Sequence, residues 1–275
     1  MLTVLRTAAE TRLPRAFALL SRVVDERAAR DPASELQFLP LLVQPGDLAG
    51  DVGANRGLFT FWLLRLGARV AAFEPNPAMG RILRRRFTDE LRDGDLRLFE
   101  GAVSDTNVPV DLHVPRGHSP LATIDGHAVA QGFEIDAVTV RGFRLDDCLR
   151  EDIAFIKIDV EGHEQRVVDG AQRLIASFRP TLLIEAEERH RPGAVASLRA
   201  SLEPLGYRGF FARADGLHAI EFFDAARDQN LDSLNEAGTA AREPFTYINN
   251  FIFVARPEVE ARLAGWRPGV ALTSV

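Results

Sequence analysis

Asp51-Val52-Gly53-Ala54-Asn55-Arg56-Gly57, followed by Val70-Ala71-Ala72-Phe73-Glu74-Pro75-Asn76-Pro77, decides how this chain folds. An apolar run ends on an acid, two glycines stand four apart, a helical stretch follows, and the next apolar run ends on a second acid. That order reads as strand, tight turn, helix, strand, acid, the arrangement by which a parallel sheet holds a nucleotide-like ligand at its edge. Leu48 to Val52 is the expected first strand, Leu58 to Leu66 the helix that Gly67 stops, and Arg69 to Phe73 the second strand.

The same alternation continues outward. Pro77 to Thr88 reads as helix and Leu96 to Val103 as a third strand, closed by Ser104-Asp105. Farther on, Ile153 to Ile158 is an apolar strand ending at Asp159, Gln165 to Phe178 a helix, and Pro180 to Ile184 a strand ending at Glu185. A helix near Val195 to Leu205, strands near Tyr207 to Ala212 and His218 to Phe223, and a last strand at Asn250 to Ala255 complete the pattern. Strands alternating with helices imply an α/β fold on a mainly parallel sheet with right-handed crossovers. Residues 106 to 145 break the rhythm: Val110 to Val114 and Ala137 to Val140 alternate in polarity among glycines, as an antiparallel insertion would.

Upstream, Leu2, Leu5, Ala9, Leu13, Phe17, Leu20 and Val24 recur at gaps of three or four, the mark of an amphipathic helix that Pro14 breaks or kinks. Such an arm packs on its own core or on a second subunit, so a homo-oligomer through it is open. Ser34 to Val43 reads as a second helix. The expected organisation is a helical arm over 1–45, a main domain over 46–256 and a tail over 257–275.

Composition narrows the function. The 275 residues are 46% hydrophobic, enough for a sizeable core, and carry a net charge of -6. That balance gives no electrostatic footprint for nucleic acid, and Arg81, Arg84, Arg85 and Arg86 read as a solvated helix face. Cys148 is the only cysteine, which rules out an intrachain disulfide. No apolar run approaches the roughly 18 residues of a membrane span, and charges interrupt any signal-peptide core, so a cytoplasmic enzyme is expected. His113, His118, His127, His190 and His218 are scattered, without zinc spacing.

The ligand follows from charge. A dinucleotide turn would read G-x-G-x-x-G and bring backbone N–H groups against a pyrophosphate. Here the spacing is Gly53-x-x-x-Gly57, and Asp51 just before the turn opposes a pyrophosphate while suiting a ligand with an ammonium and a sulfonium. S-adenosylmethionine carries both. Glu74, at the next strand tip, is placed to accept ribose hydroxyls and does not separate this donor from a nicotinamide cofactor.

With these motifs in place, Asp51 to Asn55, Phe73 to Pro77, Leu145-Asp146-Asp147 and above all Ile156-Lys157-Ile158-Asp159-Val160-Glu161-Gly162-His163-Glu164 resemble the FkbM family of S-adenosylmethionine-dependent methyltransferases. The resemblance runs from about residue 46 to about residue 255. It implies a class I methyltransferase fold, Rossmann-like, with seven strands and the last antiparallel, and O-methylation of sugars or secondary metabolites. Donor contacts are then expected at Asp51, Gly53, Asn55, Gly57, Glu74, Pro75, Asn76, Ser104 and Asp159. Arg56 departs from the apolar residue often found there, and residues 1 to 45 match no motif of the family.

The acceptor needs a base if it is a hydroxyl, and the fourth strand tip offers Asp159, Glu161, His163 and Glu164. His163 is the candidate base because an unperturbed imidazole titrates near pH 6.5; the other reading is a first-turn helix residue bonded to a neighbour. Glu161 is the competing base and Asp159 the orienting acid. Lys157, the one lysine among 33 basic residues, shares a strand face with Asp159 about 6.6 Å along. It either orients these acids or pairs with Asp159 for structure. Glu185, Glu187 and Glu188 raise a magnesium site as a disfavoured alternative, so no metal ligand is assigned. The expected partner is a small-molecule or carbohydrate acceptor. Two other readings are a catalytically silent methyltransferase-like binding module and a nicotinamide-dependent oxidoreductase.

Overall fold

The structure, a computed structural model, describes residues 14–31, 33–115, 135–236, 238 and 240–268. The helix expected over Leu2 to Leu13, and His118 and His127 of the insertion, lie outside these residues. Helix α1 (Pro14–Ala28) leads to a 3-10 turn at Glu35–Phe38 and a short α2 (Leu39–Leu42). The motif region supplies β1 (Leu48–Val52), α3 (Leu58–Arg65), β2 (Arg69–Glu74), α4 (Pro77–Arg86), α5 (Thr88–Asp93) and β3 (Leu96–Glu100). Next come β4 (Ala102–Val103), β5 (Val110–Pro115), β6 (Ile135–Val140), β7 (Gly142–Phe143) and α6 (Leu145–Cys148). The second half runs β8 (Phe155–Ile158), α7 (Glu164–Asp169), α8 (Gln172–Phe178), β9 (Thr181–Glu185), α9 (Ala194–Leu202), β10 (Arg208–Arg213), β11 (Gly216–Ala219), α10 (Ala225–Asp228), β12 (Asn250–Val254) and α11 (Pro257–Leu263).

The central sheet has the order β11-β10-β12-β9-β8-β1-β2-β3. From β9 to β3 every pairing is parallel, whereas β12 runs antiparallel between β9 and β10. This is the class I methyltransferase order, with an eighth strand, β11, added as a hairpin on β10. The order in which successive strands are added reverses between β1 and β8, the switch point where open α/β sheets bind ligands.

Because the sheet is covered on both faces, β1, β8 and most of β2 and β9 are buried, and they sort their side chains by alternation. Val52, Phe73, Ile156, Ile158 and Ile184 enter one core with α7, α8 and α9. Ala49, Val70, Phe155 and Leu183 enter the other, together with α3, Leu36 to Val43, α11 and Trp266. The arm and the tail thus share a core with the main sheet. Trp266 donates through Nε1 to Gln37 Oε1 (3.2 Å), and Asp25 on α1 forms a buried ion pair with Arg86. Arg86 therefore leaves the solvated face expected for its cluster: an amphipathic arm covers it.

Two expected elements are divided. The third strand splits at Gly101, and β4 leaves the main sheet to pair with β7. The helix expected over Gln165 to Phe178 breaks between α7 and α8 at Gly170, where a Cβ would stand 2.0 Å from the Ser104 carbonyl oxygen. The insertion forms the antiparallel β5–β6 pair, its described residues matching the expected strands.

Candidate functional site

At the switch point Gly53 has a φ of +84°, and a Cβ there would stand 1.8 Å from the Asp159 carbonyl oxygen. Only glycine lets the β1 loop lie this close to the β8 exit. Gly53 and Ala54 both donate to the Phe73 carbonyl (3.0 Å), which draws the loop over the end of β2. Gly57 precedes α3 as its N-cap. The departure noted at Arg56 is absorbed through its main chain, because its carbonyl accepts from Arg86 and ties the loop to the arm.

Asp51 is buried and accepts from Thr60 Oγ1 (2.5 Å). Burial raises its pKa to about 6, against the opposing pull of the Thr60 hydroxyl and the Lys157 charge. Glu74 is held by two backbone donors, Asn55 N–H at 2.6 Å and Asn76 N–H at 2.7 Å. Burial still lifts it to about 7. Asn76 in turn caps α4 by accepting from Ala78 N–H, and Pro75 bridges the two. Desolvated carboxylates one strand apart favour a cationic ligand over a phosphate.

Lys157 is fully buried, yet its ammonium does not pair with Asp159. It donates to Asn250 Oδ1 (3.0 Å), lies 3.8 Å from Glu185 Oε2 and sits over the Phe59 ring. Lys157 lies opposite Leu183 on β9, two residues before Glu185, and Asn250 is paired with Glu185 on β12, so both partners come from neighbouring strands.

His163 is also buried, and its Nε2 lies 3.0 Å from Ser104 Oγ. Ser104 is thereby engaged as well, donating to Asp105 Oδ1 (3.0 Å). His163 does not line the cavity that opens at the strand tips, whereas Glu161 does. Glu161 has a φ of +52° and Gly162 a φ of +102°. Two successive left-handed residues turn the chain out of β8, a conformation that is costly at a non-glycine residue and concentrates at functional sites. Burial, then the neighbouring Asp159, Glu187 and Glu164, raise the Glu161 pKa to about 8.

The cavity, about 1040 Å³, opens beyond the ends of β8, β9 and β12. Its walls come from the 28–38 segment, the strand exits and the polar 231–250 segment. Residues that sequence reasoning missed stand here. His190 Nδ1 is 3.3 Å from Glu161 Oε2. Tyr247 donates its hydroxyl to Glu187 Oε2 (2.5 Å), and Arg189 binds Glu187 while donating to the Gly238 carbonyl (2.7 Å). The only signal for them was the run Glu185-x-Glu187-x-Arg189-His190 leaving a strand.

Among the described residues no group of three or more His, Cys, Asp or Glu side chains is set to hold a metal ion. The acids that raised magnesium are committed elsewhere: Glu185 to Lys157 and Asn249, Glu187 to Arg189 and Tyr247, and Glu188 to capping α9 through Gly193 and Val195 N–H. No helix among the described residues is long and apolar enough to cross a membrane.

Comparison with known proteins identifies the family of the chain. The model of the methyltransferase FkbM domain matches residues 51–208, from the Asp51 loop through the tip of β8 to the start of β10. The 2-O-methyltransferase NoeI of Sinorhizobium fredii is 30% identical over 171 residues, 54% of this chain and 69% of that protein. Among solved structures, methyltransferase FkbM from Methylobacillus flagellatus superposes with a TM-score of 0.49 at 18% identity, over 77% of this chain and 44% of that one. The O-methyltransferase from Bacillus cereus in complex with SAH gives a TM-score of 0.44 at 15% identity, over 92% and 97%. The family model spans more than half of a chain whose glycine loop, strand-tip acids and sheet order already called for a cationic nucleoside donor, and the chain belongs to the FkbM family of S-adenosylmethionine-dependent methyltransferases.

Proposed function

We propose that this methyltransferase acts on a hydroxyl, on a sugar or a glycosylated metabolite. The observation that carries the reading is the wall of the cavity at the strand tips. Glu161, Glu187, Tyr247 and Asn249 there present hydrogen-bonding groups beside an aromatic ring, a lining suited to a polyhydroxylated ligand. The relative NoeI, named a 2-O-methyltransferase, supports oxygen as the acceptor atom.

The residues present fit the donor. Gly53 lets the loop close against the β8 exit, where a Cβ would strike the Asp159 carbonyl, and both acids at the loop's edge are desolvated. The donor supplies a methyl group made electrophilic by a sulfonium. On the protein side, Asp51 offers a carboxylate to the donor's positive end, and Glu74 offers its remaining lone pairs to ribose hydroxyls. Gly53, Asn55 and Gly57 shape the loop, Pro75 and Asn76 hold Glu74, and Ser104 and Asp159 close the flanks. The chemical task is then to hold an acceptor oxygen in line about 3 to 3.5 Å from the methyl carbon and to take its proton. Glu161 belongs to the cavity that would admit the acceptor, and His163 is held against Ser104 as a structural neighbour.

A screen of mono- and oligosaccharides and glycosylated metabolites with isotopically labelled S-adenosylmethionine, read by mass spectrometry, tests the proposal. Label on an acceptor oxygen supports it. Label only on nitrogen or carbon acceptors, or tight donor binding without transfer to any acceptor, overturns it.

A further inference from the structure

The geometry points to His190, oriented by Glu161, as the group that accepts the proton of the acceptor hydroxyl. This rests on the hydroxyl-transfer reading above and names a residue that neither the motifs nor the strand-tip pattern singled out.

His190 follows β9, and Glu161 follows β8, so the two meet across adjacent strand exits on the wall of the same cavity. The pairing of Glu161 with the Nδ1 edge of His190, at 3.3 Å, leaves Nε2 without a hydrogen-bond partner among the described residues. Once ionised, above its raised pKa of about 8, the Glu161 carboxylate selects the tautomer with the proton on Nδ1 and a bare lone pair on Nε2, the logic by which an acid orients a catalytic imidazole. His163 is arranged otherwise, with Nε2 spent on Ser104 in a buried position. The left-handed backbone at Glu161 is a second and independent sign. A glutamate held at φ +52° beside Gly162 at +102° keeps its carboxylate turned toward the cavity at a conformational cost.

The charged groups facing His190 are Glu187 and Arg189 on its own segment, with Glu161 and Asp159 on the β8 exit. Burial dominates them and lowers the pKa of His190 below the usual 6.5, which keeps the ring neutral and basic at physiological pH. In the transfer step, Nε2 takes the hydroxyl proton as the acceptor oxygen bonds to the methyl carbon. The carbon–sulfur bond breaks with its electron pair going to sulfur, so a thioether leaves. The imidazolium, steadied by Glu161, then releases its proton to water.

The test combines spectroscopy of the free protein with kinetics. In long-range proton–nitrogen correlation spectra, the ring signals of His190, assigned by their loss in His190→Gln, should report a bare Nε2. Glu161→Gln should erase that tautomer preference. With an acceptor hydroxyl identified by the screen, His190→Ala and His190→Gln should lower kcat by about a hundredfold or more. Affinity for S-adenosylhomocysteine should stay within about threefold, which also verifies folding, and added imidazole should partly restore His190→Ala. The wild-type kcat should rise with pH as Glu161 ionises, at a pKa of about 8, and that limb should vanish in both His190 variants and in Glu161→Gln. A His190→Ala enzyme that retains its kcat on the hydroxyl, or a ring whose bare nitrogen is Nδ1, overturns the His190 assignment and leaves hydroxyl transfer standing. A wild type that methylates only nitrogen acceptors overturns both.

Discussion

The ammonium of Lys157 stands 3.8 Å from Glu185 Oε2, one strand over in the sheet and on the arm-side face. The only lysine in the chain thereby stands between Asp51, on which its charge also acts, and Glu185, which lines the cavity at the strand tips. Burial disfavours its charged form, but Asp159 and Glu185 outweigh that effect and raise its pKa, so it remains an ammonium. Glu185 itself is pushed well above the usual carboxylate range, first by burial and then by Asp159.

Removing one partner from such a pair leaves the other uncompensated. Lys157→Met should therefore destabilise the protein by about 3–5 kcal/mol, read as a lower urea midpoint at unchanged slope. Adding Glu185→Gln to that variant should recover a good part of the loss. Additive losses in the double variant would mean that the two side chains are not coupled.

Gly53→Ala should be worse for binding than for stability. Its Cβ would collide with the Asp159 carbonyl at a φ that alanine rarely adopts. Because the loop rather than the core must give way, affinity for S-adenosylhomocysteine should fall at least about tenfold by calorimetry, with a loss of about 1–3 kcal/mol in stability. Unchanged affinity would show that the loop does not cradle the donor.

Donor binding should depend on pH through Asp51 and Glu74. Both have folded pKa values raised above their ordinary ones, to about 6 and about 7, so the folded free protein holds protons that the unfolded chain has released. Their contribution to stability is present below the unfolded pKa values and is lost as pH rises through the folded ones. Binding a cation or ribose hydroxyls needs the ionised forms. S-adenosylmethionine affinity should accordingly tighten between about pH 5.5 and 8, with proton release visible when calorimetry is repeated in buffers of different ionisation enthalpy. Glu74→Gln should weaken binding and remove the step near the higher pKa.

Arg189 fastens the polar 231–246 segment over the cavity through the Gly238 carbonyl and Glu187, with its guanidinium over the Tyr247 ring. Arg189→Ala should raise the acceptor KM by about tenfold or more while sparing donor affinity, because it loosens one wall without touching the donor edge. Limited proteolysis should then cut faster within 231–246. Equal losses in donor and acceptor affinity would mean that the arginine supports the whole fold.

Local patterns carried the reading of the fold a long way. Strand alternation, the Gly53 to Gly57 turn and the acids at strand tips are short-range features. Between them they determine a parallel sheet, its switch point and the charge of its ligand. They also place Glu161 at the mouth of the site, since the exit of β8 follows from its own residues. The local rules failed where contact is made between strands or between segments far apart in sequence. Lys157 answers to Glu185 on the neighbouring strand, His163 turns inward to Ser104, and Arg86 is covered by Asp25 of the arm. His190 had no visible partner in the sequence because its partner lies on the neighbouring strand exit. The sequence by itself determined the sheet and the donor edge, since backbone periodicity and turn chemistry act within a few residues. Tertiary structure alone decided which titratable groups meet, because that depends on strand register and on the turn at Glu161 and Gly162.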